Sequence, residues 1–183
     1  MSAQDEIRLV QVSEESQAYA RAAWQYMQDC KAVDDETAGL GCLESFESAE
    51  DAERGWVPQA LKEAAGTDLP EGWVPAVQFY ALNAADQIVG MIQLRLALTD
   101  YLRLYGGHIG YSVHPSFRRR GYATYILRDC LDQARARSMD RVLITCNPSN
   151  EGSRRTILAC GGTLENTVQE PGVGPHERYW ISL

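Results

Sequence analysis

An α/β (α+β) fold is predicted by three features of this sequence: one domain over residues 1–183, with a mixed, mostly antiparallel sheet flanked by helices. Two pairs of apolar runs, 76–82 with 88–98 and 163–168 with 178–183, are each joined by a polar or Gly/Pro-containing stretch and read as hairpins. A strand pattern over 108–113 leads through a basic, glycine-containing loop into an amphipathic helical pattern over 123–137. An apolar run follows at 142–146, and strand, helix, strand in that order makes a crossover whose two strands run parallel.

In chain order, Ile7 to Val12 alternates as a strand does. Ser13 stands where a helix cap is needed, with Glu14 and Glu15 in the turn that follows. Tyr19, Ala22, Ala23, Tyr26 and Met27 then share one helical face. Residues 31–46 are irregular and carry Gly39 and Gly41. Ser48 with Asp51 marks a second helix start, and Pro58 predicts a break or a fresh start within that pattern. Residues 66–75 form a Gly/Pro-rich loop, and 99–107 a connection punctuated by Gly106 and Gly107. In the helix after the basic loop, Ile126, Leu127, Cys130, Leu131 and Ala134 line one face. The run Val142 to Cys146 suits an interior strand. Ser153 to Cys160 reads as a short helix stopped by Gly161.

An apolar fraction of 45% in 183 residues supports a substantial core. No apolar run approaches the ~20 residues of a membrane span, and residues 1–6 lack a signal pattern. Five cysteines without a C-x-x-C pair read as reduced thiols, consistent with a cytoplasmic protein. No two histidines stand at ligand spacing, so no metal site is expected. The net charge of -8 is uneven: residues 1–91 hold 5 Lys/Arg against 17 Asp/Glu, and 92–183 hold 12 against 8. Such a field favours a cationic partner over nucleic acid or a membrane surface, although acidic helices that only confer solubility give the same count.

The chemistry concentrates between His114 and Thr124. A helix start has N–H groups without intrahelical partners and the positive end of the macrodipole, and anions bind there for both reasons. Gly121 lets main chain approach a ligand, Ala123 is small where the helix begins, and Arg118, Arg119 and Arg120 raise the local positive potential. The stretches Gly-x-x-x-x-Gly-Lys-Ser/Thr and Gly-x-Gly-x-x-Gly are absent, which removes the usual nucleotide hydrolase and dinucleotide oxidoreductase readings.

Arg118-x-x-Gly121-x-Ala123 resembles the Arg/Gln-x-x-Gly-x-Gly/Ala signature of the general-control-related N-acetyltransferase (GNAT) superfamily. The phrases Gly107 to Val113, Val142 to Cys146, Gly161 to Asn166 and Arg178 to Ile181 look like a bacterial branch of predicted acetyltransferases. The resemblance implies a central strand pair that splays to admit acetyl-coenzyme A, and transfer of its acetyl group to an amine by direct attack. It implies cofactor contacts at Val113, Arg118, Arg119, Arg120, Gly121, Tyr122, Ala123, Thr124, Asn150 and Ser153, and it allows a homodimer. Val113 would pair through its main chain with the pantetheine arm, and Asn150 would touch that arm or simply cap its helix. His108 and Tyr111 are the catalytic candidates. Strand alternation sets Ile109 and Tyr111 on the face of Val113 and His108 opposite. His114 would shape the loop, and His176 would be solvated. Glu44, Phe46, Glu47, Arg95, Tyr179 and Trp180 stand where the acceptor side would form, each with a structural reading as well. The family's tyrosine, seven residues after Asn150, is replaced by Ile157. That departure motivates a second expectation, a non-catalytic acyl-coenzyme A sensor on the same fold.

Overall fold

A computed structural model describes residues 7–34 and 37–183. Four strands, β1 (Arg8–Gln11), β2 (Ala76–Leu82), β3 (Ile88–Arg95) and β4 (Ile109–Val113), form one antiparallel sheet in chain order. A second antiparallel sheet has the order β5 (Arg141–Cys146), β7 (Gly174–Ser182), β6 (Thr163–Glu170). The helices are α1 (Ala20–Lys31), α2 (Ala49–Ala65), α3 (Tyr122–Ala136) and α4 (Glu151–Ala159). The crossover through α3 links β4 to β5, yet no ladder joins these two strands. They meet at His108, whose N–H donates to the Leu143 carbonyl at 2.7 Å, and part beyond it.

All seven residues of β2 are buried because the first sheet is covered on both faces. Tyr80, Leu82 and Met91 pack with Ala23, Met27, Ala52 and Trp56 of α1 and α2. Val77, Phe79, Ile92 and Leu94 face the other way, against Leu127, Leu131, Val142 and Ile181. Among the described residues, no helix is long and apolar enough to cross a membrane.

Three expectations change. α2 runs unbroken through Pro58. Proline removes one helical hydrogen bond, but Ala52, Trp56 and Ala60, spaced four apart on both sides of it, bury together and hold the axis. The connection over 99–107 contains a π-helical turn, Leu102–Gly106. The terminal hairpin is longer than its alternation suggests, its register running from Thr163↔Trp180 to Glu170↔Gly174. β6 is almost wholly exposed, so burial leaves no apolar period there to read.

Candidate active site

β4 ends at Val113, and the chain turns through Pro115–Phe117 into a loop that side chains hold from outside. His114 Nδ1 accepts the Ser116 N–H at 3.2 Å, so Nε2 carries the proton and donates to Asp29 Oδ2 at 3.1 Å. That donation, with a second from Gln25, keeps the Asp29 carboxyl below its ordinary pKa. Arg118 Nε donates to the Val113 carbonyl at 3.0 Å, and its two terminal nitrogens grip both oxygens of Asp34. Three of the five guanidinium N–H groups are thus spent within the protein, which fixes the loop. Arg119 and Arg120 stay exposed, and Arg120 lies over the Phe117 ring.

Gly121 caps α3 with φ +82°, a left-handed conformation that costs other residues roughly 1 kcal/mol or more. A Cβ built there would meet nothing within 4 Å. The four amides from Gly121 to Thr124 donate to none of the described residues. The Tyr122 side chain does not line this opening: it is 5% exposed and packs with Ile7, Ala81, Val89 and Ile126. Tyr122 therefore brings only its N–H to the helix end, and its ring anchors the first turn.

Beside this cradle runs the gap between β4 and β5. The Arg95 N–H bonds the His108 carbonyl, and the His114 N–H bonds the Val89 carbonyl. By the two-residue alternation of an antiparallel ladder, Gly110 and Ser112 exchange bonds with β3, and the main chain of Tyr111 and Val113 points outward into the gap. The Tyr111 ring crosses to α4, where its hydroxyl lies 2.9 Å from Ser153 Oγ. Burial pushes its pKa well above the ordinary phenol value. Asn150 caps α4, its Oδ1 accepting the Ser153 N–H at 3.0 Å. Its Nδ2 has no partner among the described residues, so capping leaves its donor end available. Ile157 is fully buried in the core.

His108 is corrected as a base. Its Nδ1 accepts the Leu143 N–H at 2.8 Å, so Nε2 carries the proton and no basic lone pair remains. Burial, with the positive charges of Arg103, Arg95 and Arg141, pulls its pKa down to about 4. The ring instead clasps the point where the two sheets part. Trp180 packs edge-on to this ring, and the Tyr179 hydroxyl donates to Glu177 at 2.8 Å. His176 is only partly exposed and pairs with Glu170 at 2.8 Å, where solvent was expected.

On the other face of the first sheet is a cavity of about 770 Å³. Glu44 and Arg95 line it, and so do Glu63 and Gln93, which sequence reasoning passed over. Glu63 is 2% exposed and follows Trp56 and Ala60 at seven and three residues' distance. An acidic residue on a buried helical stripe is the signal that would have found it.

Residues 7–163 match the model of a family described as an acetyltransferase (GNAT) domain. The chain belongs to the GNAT acetyltransferase family. No curated protein matches its sequence. Among solved structures, microcin C7 self-immunity acetyltransferase MccE, in complex with acetyl-CoA and AMP, is 18% identical with a TM-score of 0.71, covering 100% of this chain and 96% of that one. RimJ of Mycobacterium smegmatis, in complex with CoA-disulfide, is 18% identical with a TM-score of 0.69, covering 98% and 83%. A spermidine N-acetyltransferase chimera that includes Vibrio cholerae sequence is 13% identical with a TM-score of 0.64, covering 97% and 96%. At these identities the likeness is one of fold.

Proposed function

We propose that this protein transfers the acetyl group of acetyl-coenzyme A to a primary amine by direct attack. The observation that carries the reading is the run of unpaired amides from Gly121 to Thr124 at a helix start whose Gly121 Cβ position is open. Such a start binds a diphosphate through main-chain N–H groups and the helix dipole. Gly121, Tyr122, Ala123 and Thr124 contribute amides there, and Arg119 and Arg120 contribute charge. Val113 offers main chain to the pantetheine arm, and Asn150 Nδ2 faces the same arm from α4. The thioester, when bound, supplies an acetyl carbon activated toward nitrogen.

The chain's own groups have separate tasks. The Tyr111 N–H, directed into the gap, donates to the oxygen on which negative charge develops. The Tyr111 hydroxyl donates to the Ser153 carbonyl at 3.3 Å and lies 2.9 Å from Ser153 Oγ; turned from that carbonyl toward the departing sulfur, its one proton would serve the thiolate. With its pKa above that of a thiol it stays protonated, so it stabilises the thiolate without having to surrender the proton. Ser153 orients that hydroxyl. His108 is a positioning residue that keeps β4 and β5 joined below the gap. The acceptor nitrogen sheds one proton to water before it attacks, since a lysine-like amine has a pKa of about 10.4; it loses a second to water as the C–N bond forms and the C–S bond breaks, and the released thiolate takes a proton from water. Five unpaired cysteines support a cytoplasmic setting.

The test is a thermal shift with acetyl-coenzyme A followed by thiol release in the presence of an amine panel. Stabilisation that Gly121→Glu abolishes, with amine-dependent thiol release, is the expected result. The buried Ile157 favours a second reading, an acyl-coenzyme A sensor, which would bind the thioester and release no thiol above background.

A further inference from the structure

We infer that Gln78, on β2, is a positioning residue for acetyl transfer: through Gly39 it holds the Gly110–Tyr111 peptide with its N–H directed into the gap. The inference deepens the acetyl-transfer reading and rests on it. Gln78 pairs in register with Gln93 of β3, and Gln93 with Gly110 of β4, so the three form one row across three strands. Alternation turns that row to the face of Tyr80 and Met91, toward α1 and α2. The chain from Gly39 to Gly41 is laid across it. A Cβ on Gly41 would lie 2.5 Å from Gln78 Oε1 and 2.6 Å from Gln93 Nε2. A Cβ on Gly39 would lie 2.7 Å from both the Gly110 carbonyl oxygen and Tyr111 Cα. From the strand side, a Cβ on Gly110 would meet Gly39 N at 3.1 Å. Main chain therefore lies directly on main chain, at the peptide that carries the Tyr111 N–H.

A side chain holds the crossing in place. Gln78 is 3% exposed, and its Nε2 donates to the Gly39 carbonyl at 2.8 Å. The carbonyls of Phe79 and Ile92, at 3.0 and 3.2 Å, fix the same nitrogen from within the sheet. Gln78 Oε1 is buried without a partner among the described residues, so the donor end alone does the holding. A buried unpaired oxygen costs stability, and a leucine of like size would avoid that cost. The amide is thus a burden on the fold that serves the Gly39 contact. Gly110 must be small to admit Gly39, and the same lack of a Cβ loosens the backbone around it. An oxyanion donor works best when it is aimed before the charge develops. The peptide is planar, so a carbonyl end fixed against Gly39 and β3 fixes the N–H at its other end. On the opposite face of β4 the Tyr111 ring is anchored by its hydroxyl, 2.9 Å from Ser153 Oγ. Gly39, pinned by Gln78, closes the clamp from the first face.

Isotope-edited infrared difference spectroscopy of acetyl-coenzyme A labelled with carbon-13 at the thioester carbonyl, bound to the full chain, reads that donor directly. Calorimetry gives the affinity on the same samples. The wild type should move the carbonyl stretch to lower frequency than that of the free ligand. Gln78→Leu should lose at least half of the shift while its affinity stays within about threefold of the wild type. Gly39→Ala, which pushes the crossing off the strand by another route, should do the same, and retained affinity shows that each variant is folded. An unchanged shift in both variants overturns the inference. A loss of affinity beyond about tenfold in both also overturns it, because it marks a role in the general build of the site. Wild-type binding with no carbonyl shift removes the Tyr111 donor and the inference but keeps the cofactor reading. No binding of acetyl-coenzyme A by the wild type sinks the acetyl-transfer reading itself, and the inference with it.

Discussion

The helix start at Gly121 and the cavity at Glu63 both offer unpaired polar atoms, and they are built in opposite ways. The first is a contiguous stretch of main chain at the surface, held from outside by Arg118, Asp34 and His114. The second gathers side chains from α2, β2 and β3 into the interior. Unpaired amides at a surface are hydrated and cost little, whereas a buried carboxylate costs stability until something pairs with it. The first site is therefore held at little cost, and the second at a cost in stability that burial of its carboxylate sets.

Substitutions can break or sharpen this contrast. The largest effect belongs to Gly121→Glu, which sets a carboxylate where the diphosphate should lie. Acetyl-coenzyme A affinity measured by calorimetry should fall about 100-fold, a loss near 3 kcal/mol. Gly121→Ala meets no neighbour and should cost only about 1 kcal/mol of stability, from the left-handed backbone.

The clasp at His108 should show in the pH dependence of unfolding. Its folded pKa of about 4 lies below the ordinary 6.5, so the unfolded chain binds the proton more tightly. The clasp's contribution is present above pH 6.5 and is lost as pH falls toward 4, a change of about 3 kcal/mol. His108→Phe should be less stable near pH 7, because the Leu143 N–H loses its acceptor, and should lack that component in denaturant melts between the two pH values.

Glu63 runs the other way. Burial raises its pKa, so the folded state binds the proton more tightly, and this stabilisation is present below the unfolded pKa and lost as pH rises through the raised value. Glu63→Gln removes that dependence. It should melt at least as high as the wild type near pH 7, whereas a carboxylate that holds the fold together would show lowered stability on replacement. The smallest effect is expected of Asp34→Asn: at a part-buried, partly screened pair, unfolding stability should drop by about 1 kcal/mol, with acetyl-coenzyme A affinity lowered only a few-fold as Arg118 is released.

The same contrast decides what could be read in advance. The phosphate cradle lies within a dozen consecutive residues, and its glycine, small residue and following amphipathic helix are local chemistry. Hairpins and helices were legible wherever one face alone is buried, as in α3. Legibility failed where tertiary packing overrides local preference, at Pro58, and where exposure erases the period, at β6. Arg118 gave no sign of its partner, Asp34, which is 84 residues away in sequence. His108 kept its basic look for the same reason, since Leu143 is 35 residues distant. The cavity was missed because Gln93 and Glu63, 30 residues apart in sequence, meet only after folding.

Amide hydrogen exchange from Gly121 to Thr124, followed with and without acetyl-coenzyme A, tests the central claim most directly. Slowed exchange at those four amides on ligand addition, lost in Gly121→Glu, is the predicted result. Exchange there that stays fast while acetyl-coenzyme A is demonstrably bound would contradict the account.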